Sequence, residues 1–135
     1  MAFARAGARL LLGARREDRL GAVALEAKAA GASEVGYHPL DVASTPSVDA
    51  FVKWVKESTP RVDVLVNNAG GALGLEPVAE GKDADWETMM QTNVLGVLRV
   101  TRAVLPLMLP YRAGTIINIG SIAGRTAYEG AAAYC

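Results

Sequence analysis

The sequence predicts an α/β fold built on a mostly parallel sheet covered on both sides. Short apolar runs of strand length alternate with longer segments of helical period, and the last two runs, Val62 to Val66 and Thr115 to Ile119, are nearly continuous in apolar residues, as in strands buried on both faces. Each of the first three runs is followed by a stretch long enough for a helical crossover, an order that implies right-handed β-α-β connections.

The elements follow in order. Met1 to Gly7 reads as the last turns of a helix closed by a glycine cap. Ala8 to Gly13 (ARLLLG) is the first strand. Glu17 to Ala30 is helical by composition and is stopped by Gly31. Ser33 to Leu40 has strand length. Thr45-Pro46 supplies an N-cap with proline at the first helical position, and Val48, Phe51, Val52 and Val55 then form a single apolar stripe. After the strand at Val62 to Val66, a long pattern from about Asp83 to Met108 places Trp86, Met90, Val94, Val97, Thr101, Val104 and Met108 on one helix face. It ends near Pro106 and Pro110, where proline disfavours continuation. Thr115 to Ile119 is the last strand. Repeats, low-complexity tracts and linkers are absent from the sequence, so residues 1–135 are expected to form one domain. The sequence is expected to begin mid-unit, with a first strand and glycine-rich loop missing before the opening helix, and the chain is expected to be truncated at both ends.

Composition excludes several classes. The chain has 135 residues, is 51% apolar, and balances 14 Lys and Arg against 14 Asp and Glu. It therefore carries neither the basic footprint of nucleic-acid binding nor a polybasic membrane anchor. The single cysteine is the last residue, Cys135, so an internal disulfide is impossible and a metal site on paired cysteines is not expected. With neither a secretory signal nor an apolar stretch of spanning length, a cytoplasmic protein is expected.

Four groups of residues suggest chemistry. Asn67-Asn68-Ala69-Gly70 follows an apolar strand. Asn93 is an amide on a helix face otherwise apolar, and a buried amide must find partners; a bond to backbone and a functional ligand both satisfy this. Ser121 stands at the carboxyl end of a strand, the edge where open α/β sheets collect ligands, although a Ser-Ile-Ala-Gly turn can be only a turn. Tyr134 lies 13 positions beyond Ser121. Gly70 to Gly74 is not expected to cradle phosphate, because Leu75-Glu76-Pro77 interrupts the helix such a cradle needs; a flexible, substrate-facing loop is expected instead.

In this order and spacing, over essentially the whole chain, these residues resemble the short-chain dehydrogenase/reductase family, whose members are Rossmann-fold NAD(P)-dependent oxidoreductases. The stretches NNAGGALG from Asn67, DWETM from Asp85, TRAVLP from Thr101 and IINIGS from Ile116 are similar to its NADP-dependent 3-hydroxy acid (serine 3-) dehydrogenase branch. The resemblance implies hydride transfer between nicotinamide and a small alcohol or carbonyl substrate. It makes Ser121 the donor that polarises the substrate oxygen, Tyr134 the general acid/base, and Asn93 part of a kinked helix that holds a water in a proton relay. A phenol ordinarily titrates near ~10, so a base at neutral pH needs a neighbouring cation. In the family this is a lysine four residues on, here position 138, beyond the sequence. Tyr37, Tyr111 and Tyr128 are followed at that distance by Asp41, Thr115 and Ala132, which leaves Tyr134 as the compatible tyrosine.

The resemblance also places Asn68, Ala69, Gly70 and Tyr134 among the cofactor-binding residues, with Asp41 and Val42 at the adenine. Arg15 and Arg16 stand where an acidic residue would select NAD, so NADP(H) is expected; a solvated basic pair opening the next helix is the plainer reading. His38 receives no role. Family members commonly pair through the helix beginning near Asp83, so the full-length form is expected to be a homo-oligomer. Two alternatives accompany the oxidoreductase reading. One is a 3-oxoacyl thioester reductase. The other is a catalytically dead or unstable fragment, because family topology puts a missing first strand between the strands at Ala8 to Gly13 and Val62 to Val66 and its absence would expose apolar side chains and strand edges.

Overall fold

The computed structural model describes residues 1–74, 76–131 and 133–135. Leu75, part of the stretch read as interrupting a helix, and Ala132, four residues after Tyr128, lie outside the described residues. The fold is α/β with parallel strands, and the chain forms two compact units: residues 1–41 with 46–59, and residues 42–45 with 60–135.

The first unit opens with helix α1 (Ala2–Arg5), strand β1 (Arg9–Ala14), helix α2 (Glu17–Ala29), strand β2 (Glu34–Pro39) and helix α3 (Thr45–Ser58). Both expected glycine stops are present. Gly7 and Gly31 take φ of +74° and +108°, the left-handed region that only glycine enters without steric cost. β1 and β2 run parallel in the register Arg9↔Glu34 to Ala14↔Pro39, and the Arg9 guanidinium meets Glu34 at 3.0 Å across it. On α3 the buried residues are Val48, Phe51, Val52 and Val55, the stripe its periodicity predicts. The Phe51 ring lies so close to β1 that a Cβ on Gly13 would sit 2.7 Å from Phe51 Cε2 and 2.8 Å from Leu40 Cδ2. Glycine is thus required where the carboxyl half of β1 meets this aromatic packing.

The second unit contains strand β3 (Val64–Asn67), helix α4 (Asp83–Met89), a π-turn (Met90–Leu95), helix α5 (Gly96–Val104) and strand β4 (Thr115–Asn118). β3 and β4 are parallel in the register Val64↔Thr115 to Asn67↔Asn118. Among the described residues the strands form two parallel pairs, β1 with β2 and β3 with β4, the division expected where family topology puts a missing strand between the runs at Ala8 to Gly13 and Val62 to Val66.

The structure corrects two expectations about burial. The helix from Asp83 to Met108 is not one regular helix with one apolar face. The π-turn widens it between Met90 and Leu95, and within that stretch Met90 and Val94 are 55% and 43% exposed, while Met89 before it and Val100, Val104 and Met108 after it are buried. Its end is where the prolines are expected to put it: after Val104 it gives way to 3-10 turns at Leu105–Leu107 and Leu109–Tyr111 that contain Pro106 and Pro110. Secondly, β3 and β4 are not buried on both faces. Leu65, Asn67 and Ile117 are buried or half-buried, whereas Val64, Val66 and Ile116 are exposed. Within the described residues the cover is one-sided, with α5 against β3, so apolar continuity along a strand overstated its burial.

Candidate active site

At the carboxyl end of β3 the chain passes through Asn67 into the exposed run Asn68-Ala69-Gly70. Asn67 itself is 8% exposed and is the one buried polar side chain among the described residues. Its amide nitrogen donates both hydrogens, to Thr101 Oγ1 on α5 at 3.0 Å and to Asn118 Oδ1 on β4 at 2.8 Å. Both donors of a buried amide are thereby satisfied, and three elements are joined at one point. The Ile119 amide donates to the Asn67 carbonyl at 2.9 Å, which carries the strand pairing one residue further toward Ser121.

Asn93 sits in the π-turn, half-buried. Its side chain grips the loop after β3 from both sides: Nδ2 donates to the Gly71 carbonyl at 2.8 Å, and the Gly71 amide donates to Oδ1 at 3.0 Å. A Cβ on Gly70 would approach Asn93 Oδ1 to 3.0 Å, so glycine there admits the amide. The same loop is held further on, where the Leu73 amide donates to Met89 Sδ at 3.4 Å. Of the two partners open to Asn93 in the sequence, backbone is the one its side chain takes. The loop continues into a 3-10 turn at Val78–Glu80, not into a helix N-terminus, and so lacks the form of a phosphate cradle.

Ser121 is exposed and caps the 3-10 turn Ile122–Gly124, its Oγ accepting from the Ala123 amide at 3.2 Å. Its hydroxyl hydrogen has no acceptor among the described residues. Tyr134 is half-buried in a turn where its amide donates to the Ala131 carbonyl at 3.0 Å. Among the described residues no hydrogen bond joins Ser121 to Tyr134.

The remaining predicted residues lie at the ends of β1 and β2. Arg15 and Arg16 are exposed and follow directly on β1, with no ion-pair partner among the described residues. Asp41 is half-buried, and its amide donates to Ser47 Oγ at 2.9 Å. Val42 is buried in the second unit against the start of α5, where a Cβ on Gly96 would meet Val42 Cγ2 at 2.7 Å.

The structure therefore brings Asn93 to Gly70 and Gly71, and ties the strand ends that lead into Asn68 and Ser121. Reasoning from sequence missed Asn67, Thr101 and Asn118 as the tie. Each is a polar side chain within an otherwise apolar element, which was the available signal.

Comparisons with known proteins identify the family and the fold. A family model described as short chain dehydrogenase matches residues 1–135. The NADP-dependent 3-hydroxy acid dehydrogenase of Schizosaccharomyces pombe is 39% identical over 127 residues, covering 94% of this chain and 49% of that protein. Sulfoacetaldehyde reductase 2 of Chromohalobacter salexigens is 42% identical over 135 residues, covering 98% of this chain and 52% of its own. The crystal structure of serine dehydrogenase from Escherichia coli superposes with a TM-score of 0.87 at 37% identity, over 98% of this chain and 59% of that one. The chain thus spans about half the length of the curated relatives it matches.

Proposed function

Since the chain belongs to the short-chain dehydrogenase family, we propose that it is the nucleotide-binding part of an NADP(H)-dependent oxidoreductase acting on a small hydroxy or keto substrate, a 3-hydroxy acid such as serine. The observation that carries this reading is the pair of hydrogen bonds that the Asn93 side-chain amide makes with the Gly71 backbone from within a π-turn. A π-turn is a rare distortion concentrated at functional sites, and this one fixes the loop that follows the Asn67-Asn68-Ala69-Gly70 motif.

The donor set suits a phosphorylated dinucleotide. Arg15 and Arg16 offer two exposed guanidinium groups free of ion pairs among the described residues, a match for a ribose 2′-phosphate that planar, multidentate donors hold well. Asp41 and Val42 would receive the adenine, and Asn68, Ala69, Gly70 and Tyr134 the rest of the cofactor. When bound, the nicotinamide supplies the hydride chemistry. Ser121 donates its free hydroxyl hydrogen to the substrate oxygen, where negative charge grows during reduction. Tyr134 moves the proton at that same oxygen. Asn93, its side chain committed to Gly71, contributes to a proton relay through the opened backbone of its turn.

For the whole protein we propose action as a homo-oligomer in the cytoplasm; the exposed apolar residues Met90, Val94 and Leu98 along one side of the helix support the pairing. A different observation favours a second reading for the 135 residues by themselves. The exposed Val64, Val66, Ile116 and Ile119 on and beside β3 and β4 are an aggregation liability, as expected of a non-catalytic or unstable piece.

The decisive experiment uses the protein expressed from the whole reading frame. NADPH consumption with small carbonyls, or NADPH formation with serine and other 3-hydroxy acids, is expected; absence of turnover on every such substrate would remove the oxidoreductase reading. Preference for a 3-oxoacyl thioester over all small acids would select the alternative substrate class.

A further inference from the structure

The π-turn is held by a contact that lies outside the residues of the candidate site. Arg99, two helical turns further on in α5, reaches back along the helix and clamps Gln91. Its Nη1 donates to the Gln91 backbone carbonyl at 3.2 Å and its Nη2 to Gln91 Oε1 at 2.6 Å. Helical side chains lean toward the N-terminus, which gives this reach. A turn of i→i+5 type is wider than an α-turn and has poorer register with its neighbours, so it persists where something compensates. Gln91 lies inside the turn, two residues before Asn93. At the far end of the turn, Gly96 carries Val42 directly against the backbone, with Cγ2 2.7 Å from the position a Cβ would take.

We infer that Arg99 is a positioning residue: its two-point grip on Gln91 braces the π-turn and so sets how Asn93 meets Gly71. Both donated hydrogen bonds come from one charged, planar group, which makes them stronger than neutral ones and fixes their direction. The brace restrains the carbonyl of residue 91, and that restraint passes through two residues of backbone to Asn93. Arg102, one turn further, is exposed and takes no part. The inference rests on the proposed function only in its catalytic consequence; the brace itself is a property of this helix.

The test compares Arg99→Met and Arg99→Lys with the wild type. Amide hydrogen exchange is followed by NMR on the full chain. In Arg99→Met the amides of Gly71 and of residues 94–96 are expected to exchange about tenfold faster or more, the scale of losing charge-assisted hydrogen bonds, while amides of α3 keep their rates. Arg99→Lys, which keeps one charged donor head, is expected to recover most of that protection. In the protein from the whole reading frame, Arg99→Met should lower kcat about three- to tenfold with KM for NADPH unchanged, and Arg99→Lys should restore it. Unchanged exchange at Gly71, or faster exchange in all elements alike, would overturn the brace. If the wild type neither binds NADPH nor turns over, the functional reading fails while the exchange result still decides the brace.

Discussion

Replacing Asn67 by alanine tests the tie between β3, β4 and α5 at its centre. The side chain is 8% exposed and donates two neutral hydrogen bonds, at 3.0 Å to Thr101 and 2.8 Å to Asn118. A neutral intramolecular hydrogen bond contributes about 1 kcal/mol net, so the pair accounts for about 2 kcal/mol. Asn118 is exposed and recovers its partner from water, but Thr101 is half-buried, and its oxygen, left with a poorer partner, adds up to about 1 kcal/mol. The expected loss is about 2–3 kcal/mol. The chain holds two tryptophans, Trp54 in the first unit and Trp86 in the second. Urea unfolding in a Trp54→Phe background, read by fluorescence, therefore follows the unit that contains Asn67. With an m-value of about 1–3 kcal/mol per molar urea, the midpoint should fall by about 1–2 M. Asn68→Ala, its exposed neighbour, should stay within about 0.5 kcal/mol of the parent. A midpoint shift for Asn67→Ala no larger than that of Asn68→Ala would refute the reasoning.

The cofactor assignment predicts that Arg15→Asp combined with Arg16→Ala weakens NADPH binding by about a hundredfold or more, the scale of removing charge-assisted contacts, and leaves NADH nearly unchanged; equal losses in a direct titration would sink the phosphate assignment. Gly96→Ala places a methyl group 2.7 Å from Val42 Cγ2 and is expected to cost about 1–3 kcal/mol by overpacking, seen as a lower urea midpoint read by Trp86. An unaltered midpoint there would mean that Val42 moves aside freely. Arg112 holds φ of 49° without being glycine, a conformation that costs an L-residue about 1–2 kcal/mol. Arg112→Gly should raise the melting temperature of the chain, because relief of that strain exceeds the added freedom of the unfolded glycine, whose cost is about 0.5–1 kcal/mol; a lower melting temperature would contradict it.

Much of the local structure was legible because local rules govern it. The apolar stripe of α3 was readable from spacing, since all of its buried residues lie on one face of a regular helix. The stops at Gly7 and Gly31 followed from the left-handed backbone that glycine alone takes easily. The helix from Asp83 failed at one place. Periodicity assumes a constant turn, and the π-turn at Met90–Leu95 departs from it, so Met90 and Val94 face outward there while Met89 before it and Val100 after it are buried. The candidate site divided in the same way. Asn93 was identified by being polar on an apolar face, but which partner it takes could not be read, because Gly71 is 22 positions away in the chain. That Asn67 bonds to Thr101 and Asn118 is not legible either, because its partners lie 34 and 51 positions away in the chain.

By itself the sequence determined the α/β class, the order of strands and helices, the family and the identity of the polar residues that mark its motifs, since these depend on residue type and near-neighbour spacing. Only the tertiary structure decided that Asn67 joins three elements, that Asn93 holds Gly71, and that Arg99 braces the turn between them. The physical reason is that a buried amide specifies only that it must be satisfied. Which groups satisfy it depends on distant backbone arriving within hydrogen-bond reach, and packing sets that.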